Sequence, residues 1–433
     1  MEKANLELLQ FASADEIKAR TDEKIRSLIN HAYHNVPYYR HIFNKLGIHW
    51  SDIKEVDDLK LLPPLTRRTV KQNFPGGLVA ENIPQKRRNL TSTTGSTGIP
   101  LKFFTDTESA IPRSLVWDFL DKWAGVRPDF NRVWLGAPRP IPRFNPRHPI
   151  STWIKRKKFR QPNDLISVFK LRAETVFNII EEIQKKVPYY IYGISSSIRF
   201  IANQIQDQSI SMTKLPHSII GTSDTLLPLH LKVLKQIFEC PVFSRYGSYE
   251  MGGGVAQTCP DVPGVMHVIP ETVILEIVDD AGVPLAPGMS GRILLTEVTN
   301  YVMPFIRYDT GDIGVASGTC SCGRVFPTIR EILGRDYEQV RTPSGQTIHS
   351  WEFEVYLFYI KDYRKYIVEY EIIQHENNII LRIIPSKSFL KKTGVMLKTD
   401  LQQIIGDDMS VEIEHVKHIE YRLNGKKSLI RII

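Results

Sequence analysis

An α/β protein is what the chain predicts, with a large N-terminal domain of sheets and helices followed by a small α+β domain. Three observations carry that expectation. Short apolar runs ending at glycine or proline alternate with stretches of helical periodicity, the pattern of a layered α/β fold. After Gly334 the texture changes to hairpin, helix and strand. The length, 433 residues, exceeds one ordinary core and calls for two or three domains, the largest built around a sheet.

Taken in order, Ile17, Ile25, Leu28, Ile29 and Ala32 share one helical face, and Asn35-Val36-Pro37 closes it, so an amphipathic packing helix opens the chain. Arg132 to Ala137 and Tyr189 to Gly193 read as strands, with helices at Glu174 to Lys186 and Ser195 to Gln206. Val273 to Val278 and Arg292 to Val298 read as antiparallel strands around the Asp279-Asp280-Ala281-Gly282 turn. Later, Tyr366 to Ile373 and Ile379 to Ile384 flank Glu376-Asn377-Asn378 as a second hairpin. A helix at Lys391 to Ile405 and a strand at Val411 to Val416 follow. The expected division is 1–333, a junction at 334–338, and 339–433, with no internal repeat.

Hydrophobic content of 42% and charged content of 24% are those of a folded globular protein. No apolar run reaches the roughly eighteen residues of a membrane span, and Met1 to Gln10 lacks a signal-peptide pattern. A cytoplasmic location is therefore expected, and four cysteines in so long a chain agree with a reducing compartment. Much of the +9 net charge lies between Arg139 and Arg160, including Lys155-Arg156-Lys157-Lys158. That run reads as a solvated face. Pro140, Pro142, Pro146 and Pro149 argue against a nucleic-acid-reading helix, so no nucleic-acid partner is expected.

The most informative stretch is Thr94-Gly95-Ser96-Thr97-Gly98-Ile99-Pro100, preceded by Thr91, Ser92 and Thr93. Glycines admit a ligand close to the backbone, and hydroxyls with free N–H groups can surround a phosphate. Ile99 and Pro100 stand where a P-loop would need its lysine, so the phosphate must be held differently. The same composition also fits a polar surface loop.

Further segments follow in a fixed order. Gly221-Thr222-Ser223-Asp224 succeeds the apolar Ile219-Ile220, where a strand end would expose backbone groups at a crevice. Ser244 to Gly254 combines Tyr246, Gly247 and Glu250 with a glycine run. An aromatic ring can stack on a base, and Glu250 can hold Mg²⁺ against phosphate oxygens; a buried tyrosine and a paired glutamate fit as well. Arg307 to Asp312 places acidic groups around a turn, where a carboxylate can accept both ribose hydroxyls. Gly334-Arg335-Asp336 and Asn424-Gly425-Lys426-Lys427 complete the series.

That order resembles the adenylate-forming superfamily. Within it the likeness is to the phenylacetate-CoA ligase family and its capsular polysaccharide biosynthesis (CapK-like) branch. Asn35 to Arg40, Leu62-Pro63-Pro64-Leu65-Thr66 and Cys320-Ser321-Cys322-Gly323-Arg324 extend it along nearly the whole chain. The resemblance implies a large adenylate-forming domain and a mobile C-terminal domain turning about 334–338. It places Thr94, Gly95, Ser96, Thr97 and Gly98 on the β- and γ-phosphates of ATP, and Gly221, Thr222, Ser223 and Asp224 at the adenine. Tyr246 would stack on adenine, with Gly247 beside it at the nucleotide, Glu250 would hold Mg²⁺, Asp312 would bind the ribose, and Arg335 would approach it from the junction. Lys426 matches the catalytic lysine bridging the substrate carboxylate and α-phosphate, with Lys427 as the nearest competitor.

The implied activity is ATP-dependent activation of a small carboxylic acid and transfer to a thiol, CoA by default. An amine or sugar acceptor is the rival, and a non-catalytic nucleotide-binding homologue the third reading. A homodimer is carried with these as an expectation of the resemblance. Departures are visible: Tyr249 replaces the usual Thr or Ser before Glu250, Asp336 comes one residue before the usual hinge aspartate, and Leu423 stands where relatives have Thr or Ser. Cys259, His267, Cys320 and Cys322 offer three thiolates and an imidazole, a sufficient set for tetrahedral zinc. The Cys320-x-Cys322 spacing is short, and nothing in spacing brings Cys259 near, so spacing alone favours unliganded residues. Relatives with a similar Cys…His…Cys-x-Cys pattern add structural zinc to the expectations. Cys240 is left over, a small buried side chain.

Overall fold

The computed structural model describes residues 3–93, 100–137, 164–224, 226, 228–335, 338–419 and 429–432. They form two compact units, one holding the described residues of 1–123, 245–420 and 428–433, the other those of 124–244.

The first unit opens with α1 (Lys3–Leu9) and α2 (Ala14–Asn35). Ser13 caps α2 by accepting the Glu16 N–H at 3.0 Å, and Asp15 and Glu16 sit in the first turn, where the helix dipole favours anions. Ile17, Ile25, Leu28, Ile29 and Ala32 are buried as their spacing predicts. Pro37 does close α2, but it also opens a new helix, α3 (Pro37–Leu46). Proline suits a first turn because its missing N–H has no partner there. Next come α4 (Arg67–Asn73), capped by the Thr66 hydroxyl, the antiparallel pair β1 (Asn89–Ser92) and β2 (Lys102–Thr105), and α5 (Thr107–Trp123). The hydroxyl-rich loop Thr94 to Gly98 lies outside the described residues.

In the second unit, β3 (Asn131–Gly136), β4 (Leu165–Ser167), β5 (Tyr189–Ile194) and β6 (Ile219–Thr222) are parallel, in the order β6-β5-β3-β4. Helices α6 (Val176–Gln184), α7 (Ser195–Asp207) and α8 (Pro228–Phe238) accompany them. Val133, Leu135, Ile191 and Ile219 pack with Ile180, Ile198, Ile201 and Leu234 in one core. Strands buried on both faces read as continuous apolar runs, which is why they were visible as such. The basic run Lys155 to Lys158 and its prolines lie outside the described residues.

The first unit resumes within β7 (Val242–Ser248), at Arg245, and continues through β8 (Gly253–Thr258), β9 (Met266–Val268), β10 (Val273–Val278), β11 (Ser290–Glu297), β12 (Tyr308–Ala316) and β13 (Thr328–Arg335). These pair antiparallel in the order β10-β11-β12-β13-β9-β8-β7. The structure corrects one expectation: Tyr308 to Asp312 is strand, not turn. The turn-like composition marks a bulge, since pairing jumps from Arg292↔Ile313 to Leu294↔Asp309 and Gly311 adopts φ 73°.

Beyond β13, β14 (Gln339–Arg341) and β15 (Thr347–His349) form a small pair, followed by α9 (Ser350–Val355). Then β16 (Ile367–His375), β17 (Asn378–Pro385), α10 (Lys391–Ile405), β18 (Ser410–His415) and β19 (Ile430–Ile432) give a sheet of order β18-β17-β16-β19. Ile372, Leu381, Ile383, Leu397, Leu401, Val411 and Ile430 form its core, distinct from the main core around Phe43, Phe103 and Phe305. No helix among the described residues is long and apolar enough to cross a membrane.

Arg307 fastens the N-terminal segment to the sheet. Only 1% exposed, its guanidinium donates to both oxygens of Glu276 at 3.1 and 2.9 Å, and to the carbonyls of Leu62 and Gly282, each at 2.6 Å. Its backbone sits at φ 53°, a strain of about 1–2 kcal/mol for a residue with a Cβ. Replacing one partner strands the other charge in the core. Arg307→Met is expected to lose about 3–5 kcal/mol in urea unfolding, with part regained when Glu276→Met is added. A single variant with wild-type stability would refute this.

Candidate active site

Sequence order and strand pairing bring Tyr246, Asp312 and Arg335 together in the first unit. Asp312 on β12 and Arg335 at the end of β13 are direct cross-strand partners, and Arg335 Nε lies 3.2 Å from Asp312 Oδ1. Opposite charges in such a pair attract. The Tyr246 hydroxyl donates to Asp312 Oδ2 at 2.7 Å. Burial, with the Asp312 charge beside it, pushes the Tyr246 phenol well above its ordinary value, so it remains a donor. One carboxylate is thus flanked by an aromatic ring and a cation, groups able to meet a polyol, a flat ring and an anion. Gly247, beside Tyr246, is exposed.

Glu250 sits in the turn between β7 and β8, where the Met251 N–H donates to the Ser248 carbonyl at 3.2 Å and the Gly252 N–H to that of Tyr249 at 3.1 Å. Its Oε2 accepts the Ser248 hydroxyl at 2.8 Å and its Oε1 the Tyr308 hydroxyl at 3.2 Å. Arg67 of α4 approaches Oε1 at 3.5 Å and reaches the Thr93 hydroxyl at 3.4 Å, at the edge of the hydroxyl-rich loop. Burial and the Glu250 charge raise the Tyr308 phenol. A single fixed carboxylate fits Mg²⁺, which takes one or two carboxylates together with water and phosphate oxygens. Tyr249 is 65% exposed.

Neither Arg67 nor Tyr308 was singled out from the sequence as a partner of Glu250. Arg67 directly follows the Leu62 to Thr66 motif, and Tyr308 lies within Arg307 to Asp312. Nothing in linear spacing, however, ties either to Glu250.

In the second unit, Gly221 and Thr222 end β6, and a Cβ on Gly221 would lie 2.8 Å from Ser195 Oγ. Ser223 adopts φ 74°. Asp224 Oδ2 accepts the Ser196 N–H at 3.2 Å and hydroxyl at 2.5 Å, which places a carboxylate at the first turn of α7. Trp134, Tyr190 and Tyr192 occupy β3 and β5, with Tyr190 packed beside Ile220, Phe243 and Ala124. Lys426 and Lys427 lie outside the described residues, as do Asp336 and Tyr337; Gly334 and Arg335 end β13.

The sulfur and imidazole set does converge. Donor atoms of Cys259, His267, Cys320 and Cys322 all lie within 4.8 Å of one another, with Cys259 Sγ and Cys320 Sγ 3.9 Å apart and Cys322 Sγ 3.3 Å from His267 Nε2. The pairing of β9 with β13 brings His267 opposite Thr328, close behind the Cys320-x-Cys322 loop. His267 Nδ1 lies 3.2 Å from the Phe326 carbonyl, an arrangement that fixes the ring with Nε2 toward the thiols. Burial holds the imidazole below its ordinary value, in the neutral form a metal needs. Val262 N–H and Arg324 N–H donate to Cys259 Sγ and Cys322 Sγ at 3.3 and 3.4 Å. Three sulfurs and one nitrogen at these separations suit zinc. Cys240 is buried apart from them, its thiol pushed up to about 12 by burial.

The fold is shared with solved acyl-CoA ligases. A 2-hydroxyisobutyryl-CoA ligase, solved in the postadenylation state with 2-HIB-AMP, matches 98% of this chain and 91% of its own at TM-score 0.75 and 16% identity. Residues 340–432 match the CapK C-terminal domain model. A phenylacetate-coenzyme A ligase of Thermus thermophilus is 23% identical over 95% of this chain and 89% of its own length. Protein CapK of Staphylococcus aureus is 21% identical over 97% and 90%. Over nearly its whole length the chain is similar to a phenylacetate-coenzyme A ligase and to Protein CapK.

Proposed function

We propose that the protein activates a small carboxylic acid with ATP and Mg²⁺ as an acyl-adenylate, and passes the acyl group to a thiol, CoA first among them. The observation that carries this reading is the Tyr246–Asp312–Arg335 cluster, a carboxylate for ribose hydroxyls flanked by a ring for adenine and a cation. A carboxylate is a poor electrophile. Its oxygen attacks the α-phosphorus of ATP, the bond to the β-phosphate oxygen breaks, and pyrophosphate leaves. The thiol sulfur then attacks the acyl carbon, AMP departs and the thiol proton goes to solvent. When bound, Mg²⁺ supplies charge neutralisation at the phosphates, and Glu250 is the residue to hold it.

Tyr308, Ser248 and Arg67 orient that carboxylate. Thr94 to Gly98 take the phosphates, Gly221 to Asp224 the adenine edge, and Lys426 bridges carboxylate and α-phosphate as charge develops. The separate core of 340–430 supports 334–338 as the hinge about which that lysine is brought in and withdrawn. The CapK relationship favours a second acceptor reading, an amine or sugar in place of CoA.

Pyrophosphate release is expected with ATP and Mg²⁺ for some member of a panel of aryl, fatty and amino acids. Lys426→Ala should lower it by about 10²–10³-fold. Acid-dependent CoA consumption distinguishes the thiol from the amine acceptor, and release that persists unchanged in Lys426→Ala would remove the assignment.

We also propose that Cys259, His267, Cys320 and Cys322 hold a structural zinc. Mercurial titration of the thiols should release about one zinc per chain, and Cys322→Ser should sharply reduce the content. Because thiolates and imidazole must be deprotonated to bind, zinc should be lost as pH falls, not as it rises. A content under about half an equivalent in freshly purified protein would count decisively against the site.

A further inference from the structure

Helix α5 lies against the turn that carries Glu250, and the contact is closer than ordinary packing. Gly252 and Gly253, at φ 73° and 130°, present bare backbone to this helix. A Cβ on Gly252 would fall 2.5 Å from Arg113 Nε and 2.7 Å from its Cζ; one on Gly253 would fall 2.7 Å from Trp117 Cε2. Arg113 and Trp117 are one helical turn apart and share a face. One turn further, Asp121 accepts from Arg245 at 2.7 Å, while the Arg245 guanidinium lies 4.8 Å over the Trp117 ring. The Arg245 Nε also donates to Gln257 Oε1 at 2.7 Å. Glu250 therefore sits between two points held against α5, Arg245 before it and the Gly252-Gly253 backbone after it.

The Arg113 side chain is itself immobilised. It is 9% exposed, and its Nε donates at 2.9 Å to Oε1 of the fully buried Glu297, which its terminal nitrogen also contacts. The Thr299 hydroxyl donates to the same oxygen at 2.7 Å. A buried guanidinium whose carboxylate is also bonded has little freedom, and a glycine backbone resting on it inherits that rigidity. Nothing in the adenylation chemistry requires a cation at this depth.

Resting on the reading of Glu250 as the magnesium carboxylate, we propose that Arg113 is a positioning residue for the metal. Clamped by Glu297, it forms the floor under Gly252 and sets where the Glu250 carboxylate stands. Its effect runs through the turn and not through contact with nucleotide.

The test needs no knowledge of the acid. ATP binding is titrated calorimetrically with and without Mg²⁺ in wild type, Arg113→Lys and Glu250→Gln, and in the double variant. Arg113→Lys keeps the charge but not the planar fork. It should erase about tenfold of the Mg²⁺-dependent gain in affinity, since small misplacements of a ligand group are costly, and leave metal-free ATP affinity unchanged. In the Glu250→Gln background the same change should have no further effect, the mark of residues acting as a unit. Should Arg113→Lys fail to fold by circular dichroism, Gly252→Ala, which disturbs the floor and keeps the ion pair, should give the same Mg²⁺-selective loss. Equal losses with and without Mg²⁺, or effects that add in the double variant, would overturn the proposal. Wild-type ATP binding that gains nothing from Mg²⁺ would overturn the metal role of Glu250 instead, and with it this one.

Discussion

The buried Arg307 guanidinium is the constraint on which most of the first unit turns. Taking such a group out of water is tolerable only when its nitrogens are met, and each of the three finds a partner in Leu62 of the N-terminal segment or in Glu276 and Gly282 of β10 and its turn. The backbone is tied at the same place: the Leu65 N–H donates to the Arg307 carbonyl at 2.9 Å and the Asp309 N–H to that of Leu65 at 3.0 Å. One residue on from this knot is Tyr308, which reaches Glu250; two residues on is Asp309, which Arg292 holds at 2.7 Å; five on is Asp312. The start of β12 is thus fixed by a charge that cannot move, and the proposed ribose carboxylate Asp312 and the tyrosine that holds Glu250 are carried on the same rigid run.

Specificity of placement matters here because the proposed adenylation uses no side-chain nucleophile. Catalysis by positioning and charge depends on carboxylates and cations standing within a fraction of an ångström of where phosphate charge develops. The structure meets that demand redundantly at Glu250, which three donors approach from α4, β7 and β12. Asp312 is held by two groups, a phenol and a guanidinium, which a nucleotide would have to share with it.

Much of this was legible in the chain, for local reasons. Periodicity located α2, α6, α7 and α10 and, in the parallel sheet, β3, β5 and the end of β6 but not the three-residue β4, because apolar spacing and strand burial are properties of adjacent residues. Pro37 was read as a stop, although the same ring geometry also starts α3. Tyr308 to Asp312 was read as a turn because a bulged strand uses turn residues. Motif order singled out Tyr246, Glu250, Asp312 and Arg335. The partners of Glu250 were hidden, since Arg67 and Tyr308 reach it, and Arg113 underlies its turn at Gly252, through contacts distant in sequence, and only the folded chain brings Cys259 beside Cys320.

Strand β13 links two of these constellations. It starts at Thr328, opposite His267 of the sulfur and imidazole set, and ends at Arg335, opposite Asp312. Arg324, just before it, donates to Gln10 at 2.8 Å and stacks 5.0 Å over Trp123, so the base of the strand is also pinned to α5 and the N-terminal segment. A strand held firmly at its base delivers its tip to a defined place, and the tip here is Arg335 beside Asp312, within the proposed hinge segment 334–338. A cross-link among Cys259, His267, Cys320 and Cys322 is then more than a local staple. Under the proposed reading it would brace the base of the strand whose end, Gly334-Arg335, opens the 334–338 segment, so that the partner strand of Asp312 stays anchored at its base while the C-terminal domain turns.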